Sequence, residues 1–234
     1  WQLQPNANDE INTSYDADVY DVDLFDVSQD VIDQLHADGR IVIAYFSAGT
    51  YESFRADAGE FVADELGAQL DNYPNERWLD VRSDNVRRIM QARLDLAVQK
   101  GFDGVEPDNV DGYDNESGFD FTASDQLAYN QFIANEAHRR GLAVGLKNDL
   151  AQVALLVDFY DFAVNEQCHE YDECDALLPF IDTGKPVFNA EYDSAYVNNA
   201  LRRAALCDAA RAFGMHTLVL PGDLDDSFRY SCTP

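Results

Sequence analysis

Lysine is almost missing from this sequence. Only Lys100, Lys147 and Lys185 carry an ammonium group, and thirteen arginines bring the cations to 16 against 44 carboxylates, a net charge of −28 over 234 residues. No basic stripe exists that could release phosphate counterions, so nucleic acid is not an expected partner. No apolar run approaches the ~18–20 residues that span a bilayer, so neither is a membrane. No strand candidate is followed by a G-x-G-x-x-G turn or a P-loop, which argues against a nucleotide. No G-x-S-x-G elbow is present, which argues against serine hydrolysis. The chain also lacks the paired C-x₂₋₄-C knuckles of a zinc site and the spaced ligands of an EF-hand. No metal and no cofactor are expected. Low-complexity tracts are absent too, and with 46% apolar residues the chain has enough apolar surface to offset its ordering entropy.

What is abundant is aspartate: 32 residues against 12 glutamates. Such a surface keeps a protein hydrated in salt, and its field would also concentrate a cationic substrate; the two readings are compatible. The four cysteines, Cys168, Cys174, Cys207 and Cys232, are even in number. Cys207 with Cys232 would tie the last helix to the C-terminal tail. Two disulfides are expected, and with them secretion. The start at Trp1-Gln2-Leu3-Gln4 reads as a mature chain whose export signal has been removed.

Short apolar runs alternate with segments of helical period. Strands are predicted at Trp1–Gln4, Val19–Leu24, Ile41–Phe46, Phe102–Glu106, Leu142–Leu146, Phe162–Val164, Val187–Phe188 and Thr217–Leu220. Helices are predicted at Asp30–Asp38, Ser83–Lys100, Ser124–Arg140, Asp149–Val157, Cys174–Ile181 and Tyr196–Phe213. The segment Thr50–Asp80, with Gly59, Gly67 and Pro74, reads as irregular. Eight strands with helices between most of them predict an α/β protein, a single (β/α)8 TIM barrel over residues 1–234.

Nearly every predicted strand ends in polar residues, and in a barrel such ends converge on the rim that carries the active site. Asp23 and Asp26 close the second strand, Tyr45 and Ser47 the third, and Glu106, Asp108, Asn109 and Asp111 the fourth. Lys147, Asn148 and Asp149 close the fifth, Asn165 and Glu166 the sixth, and Asn189 and Glu191 the seventh. A lone Asp would be an ordinary helix cap; six successive strands ending this way are hard to assign to capping. Three carboxylates within Glu106–Asp111 raise one another's pKa unless cations or donors compensate, which marks a functional cluster. Lys147 is placed to hold a neighbouring carboxylate ionised; otherwise it is a structural ion pair. Among the histidines, His169 alone could reach the rim. Carboxylates beside aromatic rings (Trp1, Tyr20, Tyr45, Tyr51, Tyr113, Tyr171, Tyr192) are glycosidase equipment, one carboxyl protonating the leaving oxygen while the other attacks carbon or activates water.

The string Gly101-Phe102-Asp103-Gly104-Val105-Glu106-Pro107-Asp108-Asn109-Val110-Asp111 resembles the signature of glycoside hydrolase family 114, the endo-α-1,4-polygalactosaminidases. Supporting stretches run in family order: Trp1–Gln4, Tyr20–Asp23, Ala44–Gly49, Gly145–Asp149, Asn165–Cys168 and Phe188–Tyr192. The resemblance implies a (β/α)8 barrel that cleaves α-1,4-linked galactosamine inside a cationic microbial exopolysaccharide. It places the two catalytic carboxylates on Asp108, as nucleophile of a retaining mechanism, and Glu166, as general acid/base. Substrate contacts are expected from Asp21, Asp23, Tyr45, Glu106, Asp111, Lys147, Asn148, Asn165, Asn189, Glu191 and Tyr192, in an enzyme working as a monomer. An α-galactosidase-like enzyme on the same barrel and a non-catalytic polysaccharide-binding barrel are the alternatives.

Overall fold

The computed structural model describes residues 1–4 and 11–233. In chain order its strands are β1 (Gln2–Gln4), β2 (Val19–Asp23), β3 (Ile41–Ser47), β4 (Thr50–Glu52), β5 (Leu66–Leu70), β6 (Tyr73–Leu79), β7 (Gly104–Asp108), β8 (Ala143–Lys147), β9 (Phe162–Glu166), β10 (Val187–Glu191), β11 (His216–Val219) and β12 (Tyr230–Ser231). The α-helices are α1 (Gln29–Ala37), α2 (Asp84–Lys100), α3 (Ala123–Arg139), α4 (Val153–Leu156), α5 (Leu178–Asp182), α6 (Ser194–Asn198) and α7 (Ala200–Phe213).

The large sheet runs β1-β2-β3-β7-β8-β9-β10-β11-β12. Every ladder in it is parallel except the last, where β12 returns beside β11. The sheet curls until its ends meet. The Trp1 indole N–H donates to the His216 carbonyl at 2.7 Å, and Leu3 packs with Ala190, Leu218 and Leu220. This is the (β/α)8 barrel that the alternation of runs predicts. Strands such as β3 read as continuous apolar runs because the barrel interior covers one face and helices the other.

The first three helices start and stop where the sequence says, whereas those predicted over Asp149–Val157 and Cys174–Ile181 each open as a 3₁₀ turn and are α-helical only over α4 and α5. Ser28 accepts from the Val31 N–H ahead of α1, and Ser83 from Asn85 and Val86 ahead of α2. Thr122 and Asp125 form a reciprocal box at α3, and Gly101 ends α2 at φ 84°. On α2, Val86, Ile89, Met90, Leu94 and Ala97 are buried, whereas Val98 of the predicted apolar face lies exposed. The helix predicted over Tyr196–Phe213 is broken at Asn199, whose side chain caps α7 by accepting from the Leu201 and Arg202 N–H groups. Both expected disulfides are formed, Cys168–Cys174 and Cys207–Cys232.

The larger departure is Thr50–Asp80. The segment expected to be irregular carries a second, antiparallel sheet ordered β4-β6-β5. Its strands escape a pattern reading because they are mostly solvated: on β6 only Trp78 and Leu79 are buried, and β5 pairs with shifts of register. The two-residue link Asp71-Asn72, with Asn72 at φ 65°, closes the β5–β6 hairpin without the glycine that usually marks such a turn.

Two buried arginines fasten this insert to the barrel. Arg55 binds both oxygens of Asp23 on β2 at 3.0 and 2.6 Å and both oxygens of Glu52 at 2.9 Å. Arg93, on α2, grips Asp57 with two nitrogens and donates to the Ser47 carbonyl at 2.6 Å. Breaking a buried pair from one side leaves an uncompensated charge. Arg55→Met is therefore expected to destabilise the fold by ~3–5 kcal/mol. Burial raises the Glu52 pKa and Arg55 opposes it, so without Arg55 the buried carboxyl favours its protonated form. The loss should then shrink as pH falls, as urea melts at successive pH values would show; a loss independent of pH would contradict it.

Candidate active site

The C-terminal ends of β3, β7, β8, β9 and β10 meet at one mouth of the barrel. Residues of left-handed backbone follow three of them: Asn109 (φ 60°) after β7, Asn148 and Asp149 (φ 46° and 44°) after β8, and Gln167 (φ 62°) after β9. Such conformations are costly for side-chain-bearing residues and cluster at working sites. Here they turn the chain away immediately beyond Asp108, Lys147 and Glu166. The turn at β7 is packed so closely that a Cβ on Gly49 would lie 1.6 Å from the Asn109 carbonyl oxygen. The Ala48 and Gly49 N–H groups donate to the Asp108 carbonyl at 2.8 and 3.1 Å.

Lys147 is the centre of the group. Its Nζ lies 2.9 Å from Glu106 Oε1, 3.4 Å from Asp108 Oδ1 and 3.5 Å from Glu166 Oε2. Burial alone would lower its pKa, but Asp108, Glu106 and Glu166 together push it well above the ordinary lysine value, so it stays an ammonium. The two outer carboxylates each carry a tyrosine. Tyr45 donates to Asp108 Oδ2 at 3.0 Å, and Tyr192 to Glu166 Oε1 at 2.5 Å. Burial, then the adjoining negative charge, raises both phenols well above 10, so each remains a hydroxyl donor. Asp108 also accepts from the Asn109 N–H at 2.7 Å. The side chain of Asn148 accepts from the Glu166 N–H at 3.0 Å and so ties the end of β8 to that of β9.

These groups line a cleft of about 630 Å³. Of the residues predicted to bind substrate, Asp23, Tyr45, Asp111, Lys147 and Asn148 reach it, with Asp108 and Glu166. Tyr192 and Glu106 act on it from behind, through Glu166 and Lys147. Asp21, Asn165, Asn189 and Glu191 do not reach the cleft; all four are buried, Asp21 inside the barrel and the other three on the outer face of the sheet. Asn189 donates to Glu191 and Thr217, and Glu191 also accepts from the His169 N–H, so these side chains brace the strands. The reason is the pleat: neighbours along a strand face opposite ways, so Asn165, next to Glu166, and Asn189 and Glu191, on either side of the inward Ala190, face the helix layer, while Asp21 lies a layer below the mouth. Asp23, although at the cleft, is held by Arg55 and by the N–H groups of Phe25 and Asp26. His169, expected to reach the rim, instead sets its ring edge-on against Phe213 at 6.0 Å. Trp1 stacks on Phe188, Tyr20 is buried, and Tyr51 packs on Phe61; none of the three lines the cleft.

The wall that sequence reasoning missed comes from the insert and the C-terminal loop. Phe54, Leu70, Asp71, Tyr73 and Glu76 line one side, and Gly222–Leu224 contribute on another. Phe54 and Tyr73 are largely exposed aromatic rings. Three further carboxyls are held partly protonated near neutrality. Burial raises Glu76 to about 7, Asp111 to about 6 and Asp149 to about 8, the last also repelled by Asp111 and bonded by Tyr113 and Asn130. Cys168, His169 and Cys174 lie close together, but both sulfurs are consumed in the disulfide, so they do not form a metal site.

A (β/α)8 barrel with two tyrosine-held carboxylates flanking one ammonium at its C-terminal mouth is the arrangement of a glycoside hydrolase. The sequence model of glycoside-hydrolase family GH114 matches residues 1–234, and the chain belongs to that family. Among solved structures it is similar to Ega3 of Aspergillus fumigatus, whose crystal structure holds galactosamine. The two share 42% identity with a TM-score of 0.92, over 99% of this chain and 94% of that one. The glycoside hydrolase domain of PelA from Pseudomonas aeruginosa shares the fold at 16% identity and a TM-score of 0.71, over 92% of this chain and 91% of that one. Comparison with curated protein sequences gives no match.

Removing the central cation tests its electrostatic role. An opposite charge within a few ångströms depresses a carboxyl pKa by ~1–3 units. Lys147→Met should accordingly move the acidic limb of the pH–rate profile upward by ~1–3 units, measured on protein shown by circular dichroism to be folded. Full activity with an unmoved limb would reduce Lys147 to a structural ion pair.

Proposed function

We propose that this glycoside hydrolase cleaves α-1,4-linked galactosamine within a cationic polysaccharide by double displacement, with Asp108 as nucleophile and Glu166 as general acid/base. The observation that carries the assignment is the reach of a single ammonium to both carboxylates. Asp108 and Glu166 oxygens lie 3.4 and 3.5 Å from Lys147 Nζ, so their nearest oxygens are no farther apart than those distances combined. This fits the ~5–5.5 Å of retaining enzymes and leaves little of the ~6.5–9.5 Å range of inverting ones. The division of roles follows the donors. Asp108, 17% exposed, accepts from Tyr45 and the Asn109 N–H and faces Lys147, contacts that fix its oxygens as a nucleophile requires. Glu166, 28% exposed, has Tyr192 as its close donor and is the freer to exchange a proton with a leaving oxygen and then with water.

The substrate class rests on the likeness to Ega3 and on the cleft wall. Burial raises the pKa of Glu76 to about 7 and that of Asp111 to about 6, so neither is fully ionised at neutral pH. A sugar ammonium beside them would restore their charge through charge-assisted hydrogen bonds. Asp21, Asp23, Glu106, Asp149 and Glu191 do not take this role, since the barrel's own groups already occupy or enclose them. Both disulfides support work in an oxidising, extracellular setting. No helix among the described residues is long and apolar enough to cross a membrane. The 234 residues act as one catalytic unit, as a monomer.

Asp108→Asn and Glu166→Gln should each leave the melting temperature near that of the parent and lower turnover by at least ~10²–10⁴-fold. Near-parental turnover in either variant would overturn the assignment. NMR of the first-formed anomer should show retention; an inverted product would exclude Asp108 as nucleophile. Full N-acetylation of the polymer should abolish cleavage, whereas equal rates on acetylated and free-amine polymer would mean that the cleft does not read the amine.

A further inference from the structure

Among the described residues, Asp21 carries a barrel-interior carboxyl that neither a cation nor a backbone N–H holds. It sits on β2, 2% exposed, and Glu106 sits on β7, fully buried. Asp21 Oδ1 and Glu106 Oε2 are both buried without a donor on any described residue, and the two side chains lie close enough to share a hydrogen bond. Ionised carboxylates are acceptors only, so this contact requires a proton between them. Glu106 is the charged member, because its other oxygen, Oε1, accepts from Lys147 Nζ at 2.9 Å. The charged groups that face Asp21 are Glu106 and Asp108, both negative, with Lys147 the single positive one.

We propose that Asp21 is a positioning residue that stands as a neutral carboxylic acid and donates its proton to Glu106, thereby fixing Lys147 beneath Asp108 and Glu166. The inference rests on the reading of those two as the catalytic pair. A proton on Asp21 completes the chain of contacts. It gives the otherwise unpartnered Glu106 Oε2 a donor, while Lys147 donates to Glu106 Oε1 and its remaining protons face Asp108 Oδ1 and Glu166 Oε2. With both Glu106 oxygens engaged, that carboxylate cannot rotate, and the ammonium it anchors cannot drift toward either catalytic group. Burial and the charge of Glu106 both favour the protonated form of Asp21. Were Asp21 ionised, a fourth anion would join the three around one ammonium and Lys147 would be drawn off the mouth of the barrel.

Infrared spectroscopy and kinetics of two variants test this. At neutral pH the wild type should show a carboxylic-acid C=O stretch that is missing from Asp21→Asn. Asp21→Leu, which removes the donor, should lower kcat ~10²-fold, the scale of a small displacement of catalytic groups. Its acidic limb should also rise, since Glu106 loses a bond that favours its charged form. Asp21→Asn should recover most of that loss and of the limb position, because its N–H still donates to Glu106. A spectrum that Asp21→Asn leaves unchanged would overturn the proposal, as would an Asn variant as impaired as the Leu variant, for then a charge at Asp21 is what matters. If Asp21→Leu does not fold, wild type against Asp21→Asn decides alone. The infrared band does not depend on activity, so it separates failure here from failure of the catalytic assignment.

Discussion

One ammonium holds the active site together. Lys147 is encircled by Glu106, Asp108 and Glu166 in a chain with almost no lysine to spare. The residue type matters. An ammonium is a compact charge whose three donors point apart from one nitrogen, so it gathers three carboxylates around a single point; a guanidinium spreads its donors in one plane. Arginine does that elsewhere in the same molecule, where the planar edge of Arg55 joins Asp23, Asp26 and Glu52. The two cations therefore divide the work by shape, lysine gathering the chemistry and arginine fastening the insert that walls it.

The barrel delivers its side chains to this point through register and then through strain. Tyr45 pairs with Glu106 across β3 and β7, and Ser47 with Asp108, so the β3 exit sits level with the carboxylate it must hold. Residues in the left-handed region then end the strands sharply, and Asn is the residue best able to do so when Gly is not used. Asn148 combines the turn with a second duty, accepting from the Glu166 N–H, so a single side chain locks the Lys147 strand to the Glu166 strand.

Much of this was legible. Alternating apolar runs and helical periods defined the barrel, and Gly101-to-Asp111 with Lys147 and Glu166 marked the residues that meet. Three things escaped, each for a physical reason. The insert β4–β6 shows no alternation because most of it is solvated, and its Phe54, Tyr73 and Glu76 went unseen as cleft residues. Asn165, Asn189 and Glu191 were read as rim because they end strands in the sequence, but the pleat turns them to the outer face of the sheet, where they brace neighbouring strands. Asp21 was read as facing substrate, although a residue two positions before the strand end lies a layer deeper in the barrel. Sequence spacing locates the mouth; only the stagger of neighbouring strands says which layer a side chain enters.

That layering also divides the acidity. The interior carboxyls are neutralised by the barrel itself: Glu106 by Lys147, Asp23 and Glu52 by Arg55, Asp149 by Tyr113 and Asn130 and by its own raised pKa. They add little to the outer field. Aspartates such as Asp16, Asp18, Asp120 and Asp208 are mostly or fully exposed and carry the net charge on the outside, where salt screens it within about 10 Å. A polycation would feel this outer field during approach, which acts on rate of encounter more than on chemistry. Among the described residues, Asp71, Glu76, Asp111 and Asp223 of the cleft wall stand between these two populations, with Asp26 beside them held by Arg55. The outer field and the charge of the cleft thus come from different carboxylates, separated by depth within one fold.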